Sequence, residues 1–238
     1  MSGPLGRREP TDWVHVERYG LTPETAPTKP VPVTLGIAWY EAFDRPEKDN
    51  KGRYWVARSG DLGRVRGGHC VCLEPGDDPN TGYTQQDASN WWKFYDQGRE
   101  GACVGFGSSR MMSLLNRRRY DARWLWNQAK LVDEWPDTNP GDDNGTSVRA
   151  AMDVLRDRGH VAWGQQNPSA ADGISANRWA RTVDEVLGAL RSPADEKLGG
   201  VRLLNSWGSG YPHRVWLPLE VLQRLLDENG EATLVVDR

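Results

Sequence analysis

Apolar and polar positions divide the chain into strand-like ends and a helical middle. Residues 1–32 are polar and punctuated by proline ("LTPETAPTKPVP"), which predicts an extended arm lying over the domain. "VTLGIAWY", Val33 to Tyr40, is rich in β-branched and aromatic residues and predicts a strand. "EAFDRPEKDNKGRYWV" reads as a loop or hairpin leading to a second strand, "GGHCVCL", bounded by glycines and by "EPGDDPNTG". The segment from Thr84 to Trp92 is polar, then aromatic, and matches neither period.

Helical spacing takes over from Cys103 to about Arg118, with Met111, Met112, Leu114 and Leu115 on the buried side. Asp121 is placed to cap a helix carrying Trp124, Leu125 and Ala129, and Thr146 or Ser147 to cap one carrying Val148, Ala151, Met152 and Leu155. Gly159 stops that helix, and Thr182 with Glu185 forms a capping box for "VDEVLGAL". "VRLLNSWG" and "RVWLP" predict strands, Pro218 opens the helix "LEVLQRLLDENG", and "ATLVV" closes the chain as a strand. The class expected is α+β, with an arm at 1–32 and a single domain at 33–238. Its helical part falls at about 95–190 and its sheet part at about 33–80 and 198–238.

Composition narrows the partners. The chain has 238 residues, 37% of them hydrophobic, with 12 Trp, enough for a proper core. A net charge of −3 argues against nucleic-acid binding. The basic cluster "NRRRY" sits where a helix ends, where positive charge suits the dipole. No apolar run reaches the length of a membrane span, and "MSGPLGRREPTDW" has no signal-peptide core. Three cysteines do not make a disulfide framework and point to free thiols in a reducing, cytoplasmic setting.

One thiol stands out. In "YDQGREGACVGFGSS", Tyr95 to Ser109, Cys103 opens a helix, where unpaired N–H groups and the dipole favour thiolate. Glycines at 98, 101, 105 and 107 would leave its approach open, and Gln97 with the Cys103 N–H could hold an oxyanion. The competing reading is a small buried residue among glycines that permit tight packing, and spacing alone does not separate the two. A thiolate nucleophile needs an imidazole and an orienting group. Among four histidines, His15 lies in the arm and His213 in a "YPHR" turn, both read as surface residues, while His160 follows Gly159 as a C-terminal cation. His69 follows Gly67 and Gly68 at the start of an apolar strand, with Cys70 and Cys72 on the opposite face. Asn205 ends a strand and can orient the ring, with Trp207 shielding that bond from water.

These segments resemble the papain-like cysteine peptidases. "DQGREGACVGF" is similar to the family's nucleophile segment, "NSWGSGYP" to its "NSWG" segment, and "GGHCVCLEPGDD" to its histidine strand. "GTSVRAAMDVLRDRGH" is similar to a helix of bacterial members, so the resemblance covers most of the chain from about Val33. It implies Cys103 as nucleophile, His69 as general base and acid, Asn205 as orienter and Gln97 as oxyanion donor, with Trp207, Gly101 and Gly68 lining the crevice. It also implies a helical subdomain packed on an antiparallel, barrel-like sheet subdomain. The family's order is Cys, His, Asn; here it is His69, Cys103, Asn205. A circularly permuted domain accounts for that, since spatial order survives a change of chain entry. Val104 replaces the usual aromatic, Gly101 stands where secreted members carry a disulfide cysteine, and the end of the "NSWG" motif is altered to "YPHR".

The expected activity is hydrolysis of a peptide or isopeptide amide through an acyl-enzyme, with no cofactor and with a peptide or protein as partner. The alternative is a silent papain-like module used for binding or assembly, for instance in a phage particle. A third reading takes "HCVC" as a metal site, which strand alternation disfavours because His69 points away from both thiols.

Overall fold

The computed structural model describes residues 27–58, 60–77, 95–134 and 143–237. His15, Trp91, Trp92 and the segment from Thr84 to Trp92 lie outside the described residues, as does the arm before residue 27. The architecture is α+β. Strands β1 (Val33–Tyr40), β2 (Glu47–Lys48), β3 (Tyr54–Trp55) and β4 (Val65–Leu73) precede the helices α1 (Cys103–Asn116), α2 (Ala122–Val132) and α3 (Val148–Asp157). Then follow β5 (Ala176–Ala180), α4 (Val183–Leu190), α5 (Pro193–Lys197), β6 (Gly200–Leu204), β7 (Arg214–Pro218), α6 (Leu219–Asp227) and β8 (Glu231–Asp237).

The strands form one eight-stranded sheet in the order β2-β3-β7-β6-β4-β1-β8-β5. Pairing is antiparallel throughout except for β3 and β7. The order is linear among the described residues, with β2 and β5 at the edges. β1 and β4 lie in the middle, Ile37 opposite His69 and Trp39 opposite Gly67. β1 and the inner half of β4, His69 to Leu73, are covered on two faces, which explains their apolar runs.

Alternation along the strands feeds two cores. Leu35, Ile37, Trp39, Val71, Leu73, Leu203 and Leu217 face α4 and α6. Cys70, Cys72, Leu204 and Val235 face α1, α2 and α3 through Met111, Met112, Leu125, Met152 and Leu155. The region expected to be helical thus also carries an edge strand, β5, and its last helix, α4, belongs to the opposite core. The capping box of α4 forms as its sequence predicts, Thr182 Oγ1 accepting from the Glu185 N–H at 3.2 Å.

How close α1 comes to β4 is set at one position. A Cβ on Gly107 would lie 2.8 Å from the Cys70 sulfur and 3.3 Å from the Val71 carbonyl oxygen. Gly105, on another side of α1, meets the Ala122 carbonyl in the same way, at 2.4 Å. Both glycines are helical and buried, so they serve packing; the sequence-based reading that they keep the thiol approachable does not hold for them. Gly107→Ala is expected to lower stability by about 1–3 kcal/mol, the usual cost of overpacking a filled interface. Urea unfolding checks this, and an unchanged midpoint would show that α1 can retreat from β4 without cost.

Candidate active site

β4 passes from solvent into the interior at His69: Val65 to Gly68 are exposed, and His69 to Leu73 are buried. His69 Nε2 lies 2.8 Å from Asn205 Oδ1. The same oxygen accepts the Ser206 N–H at 2.7 Å, so the carboxamide is held with its oxygen toward the ring. An amide oxygen only accepts, so Nε2 carries the proton and Nδ1 is left with a lone pair. Trp207 packs on the ring with centroids 5.1 Å apart, and Trp39 meets it edge-on at 4.6 Å.

Cys103 is the first residue of α1. Ala102 precedes it with no side-chain cap, and the first turn carries no acidic residue. The N–H groups of Cys70, Val104 and Cys103 itself surround the sulfur. The thiol therefore sits at the peptide joining His69 to Cys70, although no hydrogen bond links sulfur and ring among the described residues. Gln97 is buried, and its Nε2 donates to the Glu100 carbonyl at 3.0 Å. Its second N–H is not used in that bond. The loop carrying it is joined to the Asn205 segment by Gln97 N–H to the Ser206 carbonyl, 2.9 Å, and by a bridge between Asp96 and Trp207. Gly101 donates to the Asp143 carbonyl at 3.0 Å, and Gly68 is exposed just before the ring.

No family model and no curated protein sequence matches this chain. Among solved structures it is similar to xylellain, a cysteine protease from Xylella fastidiosa, at 13% identity and a TM-score of 0.46, over 61% of this chain and 82% of that one. The functional reading therefore rests on the side chains.

Electrostatics depart from the sequence-based expectation. Burial raises the Cys103 thiol above its ordinary value, and the surrounding N–H groups oppose this without reversing it. Burial also pulls His69 down to about 4, against Asn205 and the charge of Asp44. Each group on its own therefore favours its neutral form, and the helix terminus does not make Cys103 a resting thiolate. Burial raises Cys70 and Cys72 as well. Both thiols sit in the helix-side core, whereas His69 packs among Trp39 and Trp207, so the "HCVC" run does not converge on one point.

Two other histidines differ from their sequence reading. His160 is fully buried, stacked on Tyr120 at 4.5 Å and on Trp124 at 5.7 Å. Its Nδ1 accepts the Val161 N–H at 2.8 Å, so Nε2 is the protonated nitrogen facing Ser109 Oγ at 2.9 Å. Burial holds it at about 3, which makes it a neutral core residue and not a cation capping the helix. His213 is half-buried, and burial, then Arg110 and Arg214, lower it to about 3.

Several neighbours escaped the sequence reading. Trp39 Nε1 donates to Asp44 Oδ1 at 2.9 Å, which fixes the indole against His69. Tyr211 donates to the Phe43 carbonyl at 2.9 Å, packs edge-on to Trp207 at 5.2 Å, and lies beside the Asn205 carboxamide. The available signal for Trp39 was its period-two spacing with Leu35 and Ile37, opposite a glycine.

His69, His160 and His213 are neutral when folded and take up protons near their ordinary value of 6.5 when unfolded. Their contribution is complete above about pH 6.5 and is lost as pH falls toward 4 and then 3. Each ring can remove up to about 1.4 kcal/mol per pH unit in that window. Urea midpoints are expected to fall from pH 7 to pH 4, while the ring signals of His69 and His160 stay flat between about pH 5 and 8. A His69 signal titrating near 6.5 would overturn the buried, neutral assignment.

Proposed function

We propose that this chain is a cysteine hydrolase that cleaves a peptide or isopeptide amide through an acyl-enzyme. The observation that carries the reading is the His69–Asn205 pair, held at 2.8 Å, with the Cys103 sulfur at the amide of Cys70, the residue next to His69. With Nε2 committed to Asn205, the lone pair on Nδ1 is the base. The Cys103 proton passes to Nδ1 as the sulfur bonds to the substrate carbonyl carbon. The carbonyl oxygen takes the negative charge and is held by the Cys103 N–H and the spare N–H of Gln97. The C–N bond then breaks as the leaving amine takes the proton from His69. Water attacks the thioester with the same ring as base, and the C–S bond breaks, releasing the carboxylic acid and returning the proton to the Cys103 sulfur. Burial favours the neutral form of each group on its own, so the proton can move as the sulfur attacks. The chain order fits a permuted papain-like domain, since the N-terminal strands β1 and β4 lie between the C-terminal strands β6 and β8.

One observation favours the alternative of a silent binding module: thiol and imidazole are each displaced toward their unreactive neutral forms. Alkylation separates the two. At neutral pH, iodoacetamide is expected to label Cys103 well before the more deeply buried Cys70 and Cys72, read by peptide mass spectrometry. In a peptide-library screen, Cys103→Ala should abolish cleavage and His69→Ala should lower kcat/KM by roughly 10²–10⁴-fold. Equal, slow labelling of all three thiols with no cleavage would remove the hydrolase reading and leave the module.

A further inference from the structure

Arg110 is fully buried, which is rare for a cation. It stands seven residues after Cys103 on α1, two turns on and on the same helix face, with Gly107 between them. Its Nη2 donates to the Asn205 carbonyl oxygen at 3.3 Å, and its guanidinium lies over the Tyr95 ring at 5.1 Å. The negative charge of Glu74 acts on it from the end of β4, directly after the strand that carries His69. Glu74 is itself buried and pairs with Arg214 and, at 3.7 Å, with Arg202, which holds Asp195 at 2.8 Å.

The helix bearing the thiol and the segment bearing the carboxamide thus meet at one guanidinium, whose charge also senses Glu74 at the end of the strand bearing the imidazole. A buried ion group is a weak source of stability, because desolvation offsets its attraction. What it supplies is directionality. Asn205 Oδ1 is tied to the main chain by the Ser206 N–H, so whatever fixes that main chain also fixes the carboxamide and, through it, the ring.

We infer that Arg110 is a positioning residue, which sets the Cys103 helix against the Asn205 main chain and thereby orients His69. Its catalytic meaning rests on the hydrolase reading above; its effect on the ring does not.

The test is hydrogen exchange at the His69 Nε2–H, followed by NMR on the full chain labelled with ¹⁵N-histidine and assigned with His69→Ala. In the wild type this proton is expected to exchange slowly, being bonded to Asn205 and covered by Trp39 and Trp207. In Arg110→Met it should exchange about tenfold faster or more, as expected for losing a charge-assisted hydrogen bond nearby. Arg110→Lys keeps the charge facing Glu74 without the fork and should fall between the two. If Arg110→Met does not fold, acceleration in Arg110→Lys decides the matter by itself. A lowered melting temperature with unchanged exchange in either variant would make Arg110 a stabilising residue only and overturn the proposal. Fast exchange in the wild type would overturn it too. Iodoacetamide labelling of wild-type Cys103 judges the hydrolase reading separately: slow labelling there counts against hydrolysis, and the exchange rates still decide Arg110.

Discussion

Helix α1 approaches β4 to within the width of a glycine, and the geometry of the site follows from that distance. With no side chain at position 107, the helix axis comes down onto Cys70, whose sulfur fills the space a Cβ would need. The thiol one turn earlier is thereby set at the Cys70 amide, next to the residue that carries the imidazole. The guanidinium of Arg110, just past Gly107 on the same face, reaches the Asn205 carbonyl. A bulkier helix face would separate all three segments at once. Gly105 plays the corresponding part toward α2, so the helix is gripped from two directions and has little freedom to slide.

Close packing also sets the electrostatics. A cysteine at a bare helix terminus in water is pulled toward thiolate, and a surface histidine stays near its ordinary value. Here burial opposes charge on both, and it outweighs the N–H groups around the sulfur and the carboxamide beside the ring. An amide at position 205 suits this arrangement. A carboxylate there would favour imidazolium and would itself need a partner in the interior, whereas a carboxamide orients the ring without adding charge. Asp44 is close enough to act on His69 but spends one oxygen on the Trp39 indole, so it anchors the wall of the site.

How much of this could be read from the sequence depended on the range of the interaction involved. β1 matches its predicted limits, Val33 to Tyr40, because a run of β-branched and aromatic residues covered on both faces admits few alternatives. The capping box of α4 and the proline before α6 are local chemistry and were legible for that reason. β5 was not: "ANRWA" is a half-exposed strand that pairs, among the described residues, with β8 alone, and it carries no apolar period. Within the site, Gln97, Cys103, His69 and Asn205 belong to short motifs, so their residue types could be singled out before their places were known. Arg110 and Tyr211 make contacts 95 and 168 residues away, and nothing in their immediate neighbours announces them. His160 misled for a related reason: Gly159 does stop the helix, but the chain then turns inward between two aromatic rings.

The order of His69, Cys103 and Asn205 along the chain puts no strain on this arrangement, because the sheet fixes neighbours and not sequence. β4 takes its register from β1 on one side and β6 on the other, and β6 in turn delivers Asn205. The thiol segment is then fastened to the Asn205 segment across the gap. The Gln97 N–H reaches the Ser206 carbonyl, Asp96 bridges to Trp207, and Gly208 leaves room for the Asp96 carboxylate, which a Cβ there would meet at 2.5 Å. Gly208 has a φ of +62°, a conformation that also favours glycine, so this crossing is specified twice. Whichever segment comes first in the chain, the same pairings bring His69 to Asn205 and the Cys103 sulfur to the Cys70 amide. A chain that kept these cross-links but lost its loops could begin and end elsewhere on the fold without moving the thiol from the Cys70 amide.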